Sequence, residues 1–239
     1  MNILAFDCCL GAVSVAVRWQ SGEGQREQRE TCDLQASGNA ERLFPMIAEI
    51  LASAGLQPSE MDRIAVTLGP GTFTGVRVGV AAARALAMAM GKPVVGVSSL
   101  AVMAHRARRL PEGQLQSGPI AVAVDARRGM VYLQAFGADG MAMSEALLVT
   151  PGAAARLLEA EVRGENCIRV LGSGAEVVVH SLEANGCKAS AYLPDLQPHA
   201  GSLADLAADI APLARVAPIY LRQPDVRPQV GPSLRAEQP

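Results

Sequence analysis

One local pattern occurs twice in this chain. In each copy an apolar run ends in an aspartate, a short turn follows, and a second apolar segment comes next. The first copy comprises residues 2–7, ending in Asp7, and Val13–Trp19; the second comprises Ile120–Asp125 and Val131–Phe136. Short apolar runs bounded by turn residues predict strands. The second half of the chain therefore repeats the organisation of the N-terminus, with helical segments between the two copies.

The remaining secondary structure follows from the spacing of apolar residues and from glycine and proline breaks. Further strands are predicted at Gln25–Leu34, Arg63–Leu68, Val94–Val97 and Ile168–Leu171, the first of which completes a three-stranded antiparallel meander. Helices are predicted at Ala40–Ala54, Val76–Met90, from Ser98 or Ser99 to Arg109, and at Pro151–Ala160, Ala175–Glu183 and Ser202–Leu213.

The clearest linker is Leu110–Gly118, which is rich in glycine and polar residues. Such a segment predicts a boundary, here between a first subdomain at residues 1–110 and a second at residues 111–222. Residues 223–239 contain four prolines and no apolar periodicity. We therefore expect this tail to be disordered.

The charge balance narrows the classes of function. The chain has 21 Lys and Arg against 23 Asp and Glu, and only 3% of its residues are aromatic. An autonomous nucleic-acid binder neutralises many phosphates and stacks bases, so this composition argues against one. Five cysteines without C-x-x-C spacing, and no basic segment before the first apolar run, predict a cytoplasmic chain without a signal peptide. The longest apolar run, Val78–Met90, is short for a membrane span and contains Arg84, so no membrane contact is expected.

A glycine-rich loop, Gly69-Pro-Gly-Thr-Phe-Thr-Gly75, precedes the helix predicted at Val76–Met90. A glycine-rich turn before a helix N-terminus can present backbone N–H groups to an anion. Thr72 and Thr74 could add hydroxyl donors, and Arg77 could add positive charge. The loop has neither the lysine of a Walker motif nor the spacing of a dinucleotide fingerprint. The alternative is that its three glycines serve only a tight connection.

Asp7 and Asp125 occupy matching positions in the two copies of the repeat. Facing each other across a cleft, they could hold a metal–phosphate group or act as a base. The alternative, which we favour, is that each caps a turn. Cys8 and Cys9 follow Asp7 and could be nucleophiles, but cysteine is also a common small apolar core residue.

Two predicted helices are more apolar than surface helices usually are. Val76–Met90 contains only Arg77 and Arg84 as charged residues, and Ala40–Ala54 is apolar on more than one side. Such helices are either buried within the fold or covered by a partner, and the residues leave both alternatives open.

Five segments match one known family in order and spacing: Ile3–Asp7, Gly69–Arg77, Gly96–Leu100, Val124–Gly129 with Val131-Tyr132, and Pro218–Arg222. Over about residues 1–222 the chain resembles the TsaB (YeaZ) family, subunits of the bacterial threonylcarbamoyladenosine complex. The resemblance implies an α/β, actin-like (ASKHA, ribonuclease-H-like) fold of two related subdomains.

The same resemblance implies a non-catalytic scaffold that pairs with the catalytic subunit TsaD and is joined by the ATPase TsaE. The complex transfers a threonylcarbamoyl group from an adenylate to N6 of adenosine 37 in tRNAs that read codons beginning with A. The assembled complex would hold most of the tRNA. No cofactor is expected for this subunit, although ATP or ADP could bind at the partner interface, and a homodimer could form without TsaD. The pairing surface would lie on the two apolar helices, at Leu43, Ile47, Ile50, Leu51, Arg77, Val80, Ala83, Arg84 and Ala87.

Remnants of the fold's nucleotide site are expected at Asp7, Gly69, Gly71, Thr72, Thr74, Gly75, Asp125, Gly172 and Gly174. Members of the family often have Ser or Thr where this chain has Cys8-Cys9, and a thiol is a poor donor to phosphate. TsaD carries a His-x-x-x-His metal site on its first long helix, and Ala40–Ile47 contains no histidine, so neither a catalytic residue nor a metal ligand is expected. The competing hypothesis is an independent actin-fold kinase or nucleotide hydrolase that uses the two aspartates and the glycine loop.

Overall fold

The computed structural model describes residues 1–22, 24–34, 39–110, 115, 118–162 and 166–222. The strands of these residues form two five-stranded sheets. The first has the spatial order β3-β2-β1-β4-β5 and contains β1 (Ile3–Asp7), β2 (Val13–Gln20), β3 (Arg26–Asp33), β4 (Arg63–Thr67) and β5 (Val94–Val97). The second has the order β10-β9-β6-β7-β8 and contains β6 (Ile120–Asp125), β7 (Val131–Phe136), β8 (Leu147–Val149), β9 (Ile168–Leu171) and β10 (Ala189–Tyr192).

The two sheets have the same topology. In the first, β1 is the central strand, antiparallel to β2 and parallel to β4. In the second, β6 is central, antiparallel to β7 and parallel to β9. The outer strands correspond as well, since β3 and β8 pair antiparallel and β5 and β10 pair parallel with their neighbours. The two related α/β subdomains that the resemblance implies are confirmed, and the repeated apolar run and aspartate supply the first two strands of each sheet.

The described residues also form the helices α1 (Asn39–Ala54), α2 (Phe73–Met90), α3 (Ser99–Arg109), α4 (Pro151–Glu161), α5 (Ala175–Ala184) and α6 (Ala200–Leu206). Both faces of the first sheet are covered. Because side chains alternate along a strand, Leu4 and Phe6 of β1 face α1 and α2, whereas Ile3 and Ala5 face α6. Helices α4 and α5 cover one face of the second sheet.

Helices α3 and α6 each pack on the sheet formed by the other half of the chain, and Val102 of α3 also lies in a core of the first sheet. Leu100 and Met103 of α3 lie in a core with Ile120 and other residues of β6. Leu203 of α6 lies on the first sheet with Ile3. A division at residue 110 separates the strands of the first sheet from those of the second. The exact position of the boundary stays a prediction. The packing of α3 and α6 crosses it.

Two helices differ from their predicted bounds by more than one residue. Helix α2 begins at Phe73 rather than Val76, because Thr72 caps it inside the glycine loop. The last helix is Ala200–Leu206 rather than Ser202–Leu213. Beyond it, the Arg63 guanidinium donates to the carbonyl oxygens of Ala207 and Ile210, and the Leu213 amide donates to Val94. These bonds hold the chain along the first sheet in a non-helical path.

Strands β8 and β10 were not predicted, because each is a short, partly exposed edge strand. Most of the linker at Leu110–Gly118 and all of the tail at residues 223–239 lie outside the described residues, so the predictions made for them remain predictions.

Candidate functional site

The glycine loop between β4 and α2 lies against the turn that follows β1. Gly69 has a φ of +100°, in the region that favours glycine. A Cβ atom at Gly71 would overlap the carbonyl oxygen of Cys9, and one at Gly75 would overlap that of Cys8. The glycines therefore allow two stretches of backbone to approach closely, which supports the tight-connection alternative.

Polar groups of Thr72 are already engaged within the chain. Its amide donates to the carbonyl oxygen of Cys9 at 2.7 Å. Its side-chain oxygen accepts the amide of Gly75 at 3.1 Å and so caps α2. An anion at this loop would compete with those bonds, whereas Thr74 and Arg77 are exposed in the first turn of α2. Anion binding here stays a prediction.

Asp7 is fully buried beneath the turn after β1. Its Oδ1 accepts hydrogen bonds from the hydroxyl of Thr67 and, at 3.1 Å, from the amide of Cys9. Its Oδ2 has no hydrogen-bond partner in the described part of the chain. Desolvation raises the pKa of Asp7 to about 6, because burial disfavours the carboxylate.

Asp125 plays the same local role at the end of β6 but is exposed. Its Oδ1 accepts the amide of Arg127 at 2.8 Å, two residues on, as Asp7 accepts the amide of Cys9. Both aspartates therefore cap turns, as the favoured alternative predicted. The arrangement in which the two carboxylates face each other across a cleft is not found, because Asp7 is closed off from solvent.

A cleft of about 490 Å³ lies between the two subdomains. Its walls include Gly71, Thr72, Asp125, Ser173 and Gln197. The structure thus brings together part of the glycine loop, the second aspartate and the loop before α5, while Asp7 lies below the surface of the cleft.

Gly172 and Gly174 serve a close approach that parallels the glycine loop of the first subdomain. Gly172 has a φ of +94°, and a Cβ there would lie 2.7 Å from the carbonyl oxygen of Ala123 in β6. The Gly174 amide donates to that same oxygen at 3.0 Å. These two glycines fasten the loop to the central strand of the second sheet.

The predicted pairing residues divide between core and surface. Helices α1 and α2 rest on the first sheet through the apolar stripes recognised in the sequence. Six of the predicted residues are buried in that core: Leu43, Ile47, Ile50, Leu51, Val80 and Ala83. They hold the helices on the sheet and are not available to a partner in this conformation. Apolar periodicity marks the face that packs on the fold, so for these six residues the prediction is corrected.

The other predicted pairing residues lie partly or fully at the surface. Ala87 is half-buried, and Arg77 and Arg84 are exposed. The two arginines are bonded to the chain segment before residue 222, since Arg77 Nε donates to Tyr220 Oη at 2.8 Å and Arg84 Nε donates to the Val216 carbonyl at 2.8 Å. The Arg77 guanidinium also lies 3.6 Å from the ring centroid of Phe73.

The solvent side of these helices carries exposed apolar residues alongside charged ones such as Arg42 and Glu49. Phe44 and Ala48 of α1, and Ala81, Ala85 and Met88 of α2, are exposed at helical spacing. We call these five residues the outer face. Met88 is the most open of the five, with 84% of the residue exposed to solvent. By length and composition alone, α2 is the one helix in the described ranges that could cross a membrane, which is weak evidence because one side of it packs on the sheet.

Comparison with known proteins agrees with the sequence motifs. A family model described as TsaD, tRNA N6-adenosine threonylcarbamoyltransferase, matches residues 34–210, well over half of the chain. TsaB of Haemophilus influenzae, a tRNA threonylcarbamoyladenosine biosynthesis protein, is 36% identical over 132 residues, which are 55% of this chain and 52% of that protein. The chain therefore spans about half the length of the curated relatives that it matches at this identity.

Two solved structures extend the match to nearly the full length. YeaZ from Pseudomonas aeruginosa is 29% identical with a TM-score of 0.72, and a second protein from that organism, described as similar to peptidase YeaZ, is 30% identical with a TM-score of 0.77. Each comparison covers 92% of this chain and 99% of the other. The chain belongs to this family, in its TsaB (YeaZ) branch. The fold of this TsaB (YeaZ) chain is actin-like, and the two sheets are its related subdomains.

Cys8 and Cys9 stand where members of the family often have Ser or Thr, and in this TsaB (YeaZ) chain their thiols lie in the core. Cys8 and Cys9 are both buried. Burial, followed by the charge of Asp7, raises the pKa of both thiols. Cys9 Sγ lies 3.1 Å from the Thr67 hydroxyl. A protonated, buried thiol is a poor nucleophile, so the interpretation of these residues as small apolar core residues is supported.

Sequence reasoning missed one cluster of polar side chains, Glu30, Cys32 and His199. Glu30 and Cys32 lie on β3, and His199 precedes α6. The imidazole Nδ1 lies 2.9 Å from Glu30 Oε2. The only signal in the sequence is that Glu30 and Cys32 alternate with other residues on an edge-like strand. Nothing local links them to a histidine 169 residues from Glu30. Neither this cluster nor any other group of His, Cys, Asp and Glu side chains in the described ranges is arranged for a metal ion.

Proposed function

We propose that this chain is a non-catalytic pairing subunit in the formation of N6-threonylcarbamoyladenosine in tRNA. It acts in the cytoplasm by binding a TsaD subunit through the outer face of α1 and α2. The observation that carries the proposal is this apolar outer face on a chain of the TsaB (YeaZ) branch. TsaB of Haemophilus influenzae is named for the same biosynthesis.

The chemistry of the outer face suits a helix-to-helix interface. Its three alanines allow a second helix to approach closely, while Phe44 and Met88 supply large apolar contacts. Phe44 is 49% and Met88 84% exposed, and an exposed patch of this kind on a folded chain marks an interaction surface. Arg77 and Arg84 flank it, held in place by the segment that ends at Arg222. Burial of the outer face against a partner would remove this apolar area from water.

The geometry of the inter-subdomain cleft favours a role without catalysis of its own. The Thr72 amide is bonded to Cys9, the Cys8 and Cys9 thiols are buried, and the Asp7 carboxyl is closed to solvent. A kinase or hydrolase would need these groups at the substrate. In the proposed complex, the assembled subunits bind tRNA, TsaE and any ATP or ADP. Without TsaD, a second copy of the chain covers the same outer face.

The decisive experiment places charge on the outer face and measures pairing. In the double variant Ala85→Glu with Met88→Glu, a carboxylate would have to be buried without a partner, so we expect the affinity for the cognate TsaD to fall by about 100-fold or more. Modification of tRNA by the reconstituted complex should fall with it and recover at high protein concentration. Val177→Glu, on α5 and 50% exposed, is the matched control and should leave both unchanged.

Two results would contradict the proposal. One is full pairing and full tRNA modification by the double variant. The other is turnover of ATP by the isolated chain that is lost in Asp7→Asn, which the competing kinase or hydrolase hypothesis predicts.

A further inference from the structure

The outer edge of strand β3 is a sheet edge that the described part of the chain leaves uncovered. In that part of the chain, β3 is the first strand of its sheet and pairs with β2 alone. The two strands pair along all eight residues of β3 without a bulge, and seven of the eight residues are exposed. Natural edge strands are protected from further pairing by short length, proline, a bulge or charge. Of these features β3 has only charge, and its charges are of both signs.

The turn between β2 and β3 determines which backbone groups of β3 point outward. The Ser21 amide donates to the carbonyl oxygen of Gln25 at 2.8 Å, so these two residues form a hydrogen-bonded pair. Hydrogen-bonded and non-hydrogen-bonded pairs alternate along an antiparallel ladder. The next pair, which contains Arg26, is therefore non-hydrogen-bonded, and so is every second pair after it. The N–H and C=O groups of Arg26, Gln28 and Glu30 consequently point away from β2, toward the outer edge.

The charges along β3 are complementary to those of a second β3 strand. In an antiparallel pair centred on Gln28, Arg26 of one copy lies opposite Glu30 of the other, and Glu27 lies opposite Arg29. A twofold axis through the pair repeats both contacts. Directly opposed residues lie on the same face, where opposite charges stabilise the pair. The outward-pointing backbone groups meet in the same arrangement, because Gln28 pairs with itself and Arg26 pairs with Glu30.

The neighbouring registers bring like charges together. Moving the centre by one residue places Glu27 opposite Glu27 or Arg29 opposite Arg29, and a centre at Glu30 opposes two carboxylates. The register centred on Gln28 is therefore preferred. Within its own chain Glu30 also contacts His199 Nδ1, at 2.9 Å from Oε2. A carboxylate accepts several donors, so this contact is compatible with Arg26 of a second copy.

We propose that the β3 edge binds the β3 edge of a second copy of this chain, in the antiparallel register centred on Gln28. The first sheets of the two copies then form one continuous sheet across the twofold axis. None of the five outer-face residues lies on β3, so the contact goes beyond the proposed pairing with TsaD and uses a different surface. One strand from each side buries less than about 1,200 Å², so we expect a weak dimer with a Kd of about 10 to 100 μM.

The test measures self-association of the full chain by sedimentation equilibrium. The chain carries Ala85→Glu with Met88→Glu, which removes the outer face as a site for a second copy, and we expect a dimer to persist. Gln28→Pro, added to this chain, removes an outward N–H group and no bond to β2, so the Kd should rise by about tenfold or more. Gln28→Thr is the matched control and should leave it unchanged. A chain that stays monomeric well above the expected Kd, or a dimer that Gln28→Pro leaves intact, would overturn the proposal.

Charge exchange tests the register. Glu27→Arg or Arg29→Glu alone turns two attractive contacts into repulsive ones, and each should raise the Kd by about tenfold. The double exchange restores opposite charges and should bring the Kd back to within about twofold of its starting value. Single variants without effect, or a double exchange without recovery, would also overturn the proposal.

Two further features of the design keep the result interpretable. Arg29 donates to the Ser53 carbonyl within its own chain, so thermal melts check that each variant stays folded. If Gln28→Pro lowers the melting temperature, the charge-exchange series decides. TsaD is absent from these measurements, so a negative result would leave the proposed function untouched, and that function is tested separately by the affinity for TsaD.

Discussion

Burial determines the protonation of Asp7 at the scale of the single residue. The carboxyl group accepts two hydrogen bonds, from Thr67 and Cys9, but its second oxygen lies in the core without a partner in the described residues. Its desolvation exceeds the stabilisation from those two bonds, and the pKa rises from 3.8 to about 6. Asp125 makes the same turn-capping bond at the surface, where its carboxylate is exposed.

This shift predicts how the stability of the chain changes with pH. The folded pKa of Asp7 lies above the unfolded value, so ionisation costs the folded state free energy. The cost is absent below about pH 4, grows as the pH rises through both values, and is complete above about pH 6 at roughly 3 kcal/mol. We therefore expect the free energy of unfolding of Asp7→Asn, relative to the unsubstituted chain, to rise by up to that amount between pH 4 and pH 7. Urea titrations across the range measure the difference, and a constant difference would contradict the prediction.

The N-terminal cap stabilises helix α2. Substitutions of two threonines in the glycine loop, Thr72 and Thr74, distinguish this capping from anion binding. The Thr72 side chain accepts the Gly75 amide, so Thr72→Ala should lower the free energy of unfolding by about 1 kcal/mol. Thr74→Ala is the matched control, since Thr74 is exposed in the first turn, and should change it by less than about 0.5 kcal/mol. Thermal melts without and with phosphate test both effects. A stabilisation by phosphate that either variant removes would indicate that the loop binds anions after all.

The sequence was sufficient to predict strands and helices with a strong apolar periodicity. It was not sufficient to predict which face of a helix packs on the fold and which is left for a partner. The strands around both aspartates and the two apolar helices follow from local pattern, because burial of one face dictates the spacing. The same logic misled the choice of Leu43 and Val80 as pairing residues, since periodicity identifies the face that packs on the sheet. Strand β8 and the pairing of His199 with Glu30 depend on neighbours distant in sequence, which no local pattern encodes.

At the scale of the whole molecule, α3 and α6 link the two subdomains. Leu100 of α3 lies in a core with strand β6 of the second sheet, while Leu203 of α6 lies on the first sheet. Neither sheet can lose its packing without uncovering a helix that belongs to the other half of the chain. We therefore expect the described part of the chain to unfold as one cooperative unit.

The single tryptophan provides the test of this cooperativity. Trp19 packs against the core of the first sheet, and Leu158 is fully buried in the core beneath α4 and α5 of the second. Leu158→Ala should cost about 2 to 5 kcal/mol by leaving a cavity. In urea, it should lower the midpoint of Trp19 fluorescence as much as that of far-ultraviolet circular dichroism. Leu43→Ala, in the first core, is the reciprocal control and should also shift both midpoints together. If Leu158→Ala lowers the midpoint measured by circular dichroism and leaves the midpoint of Trp19 fluorescence unchanged, the subdomains unfold independently. Helices α3 and α6 would then not couple them.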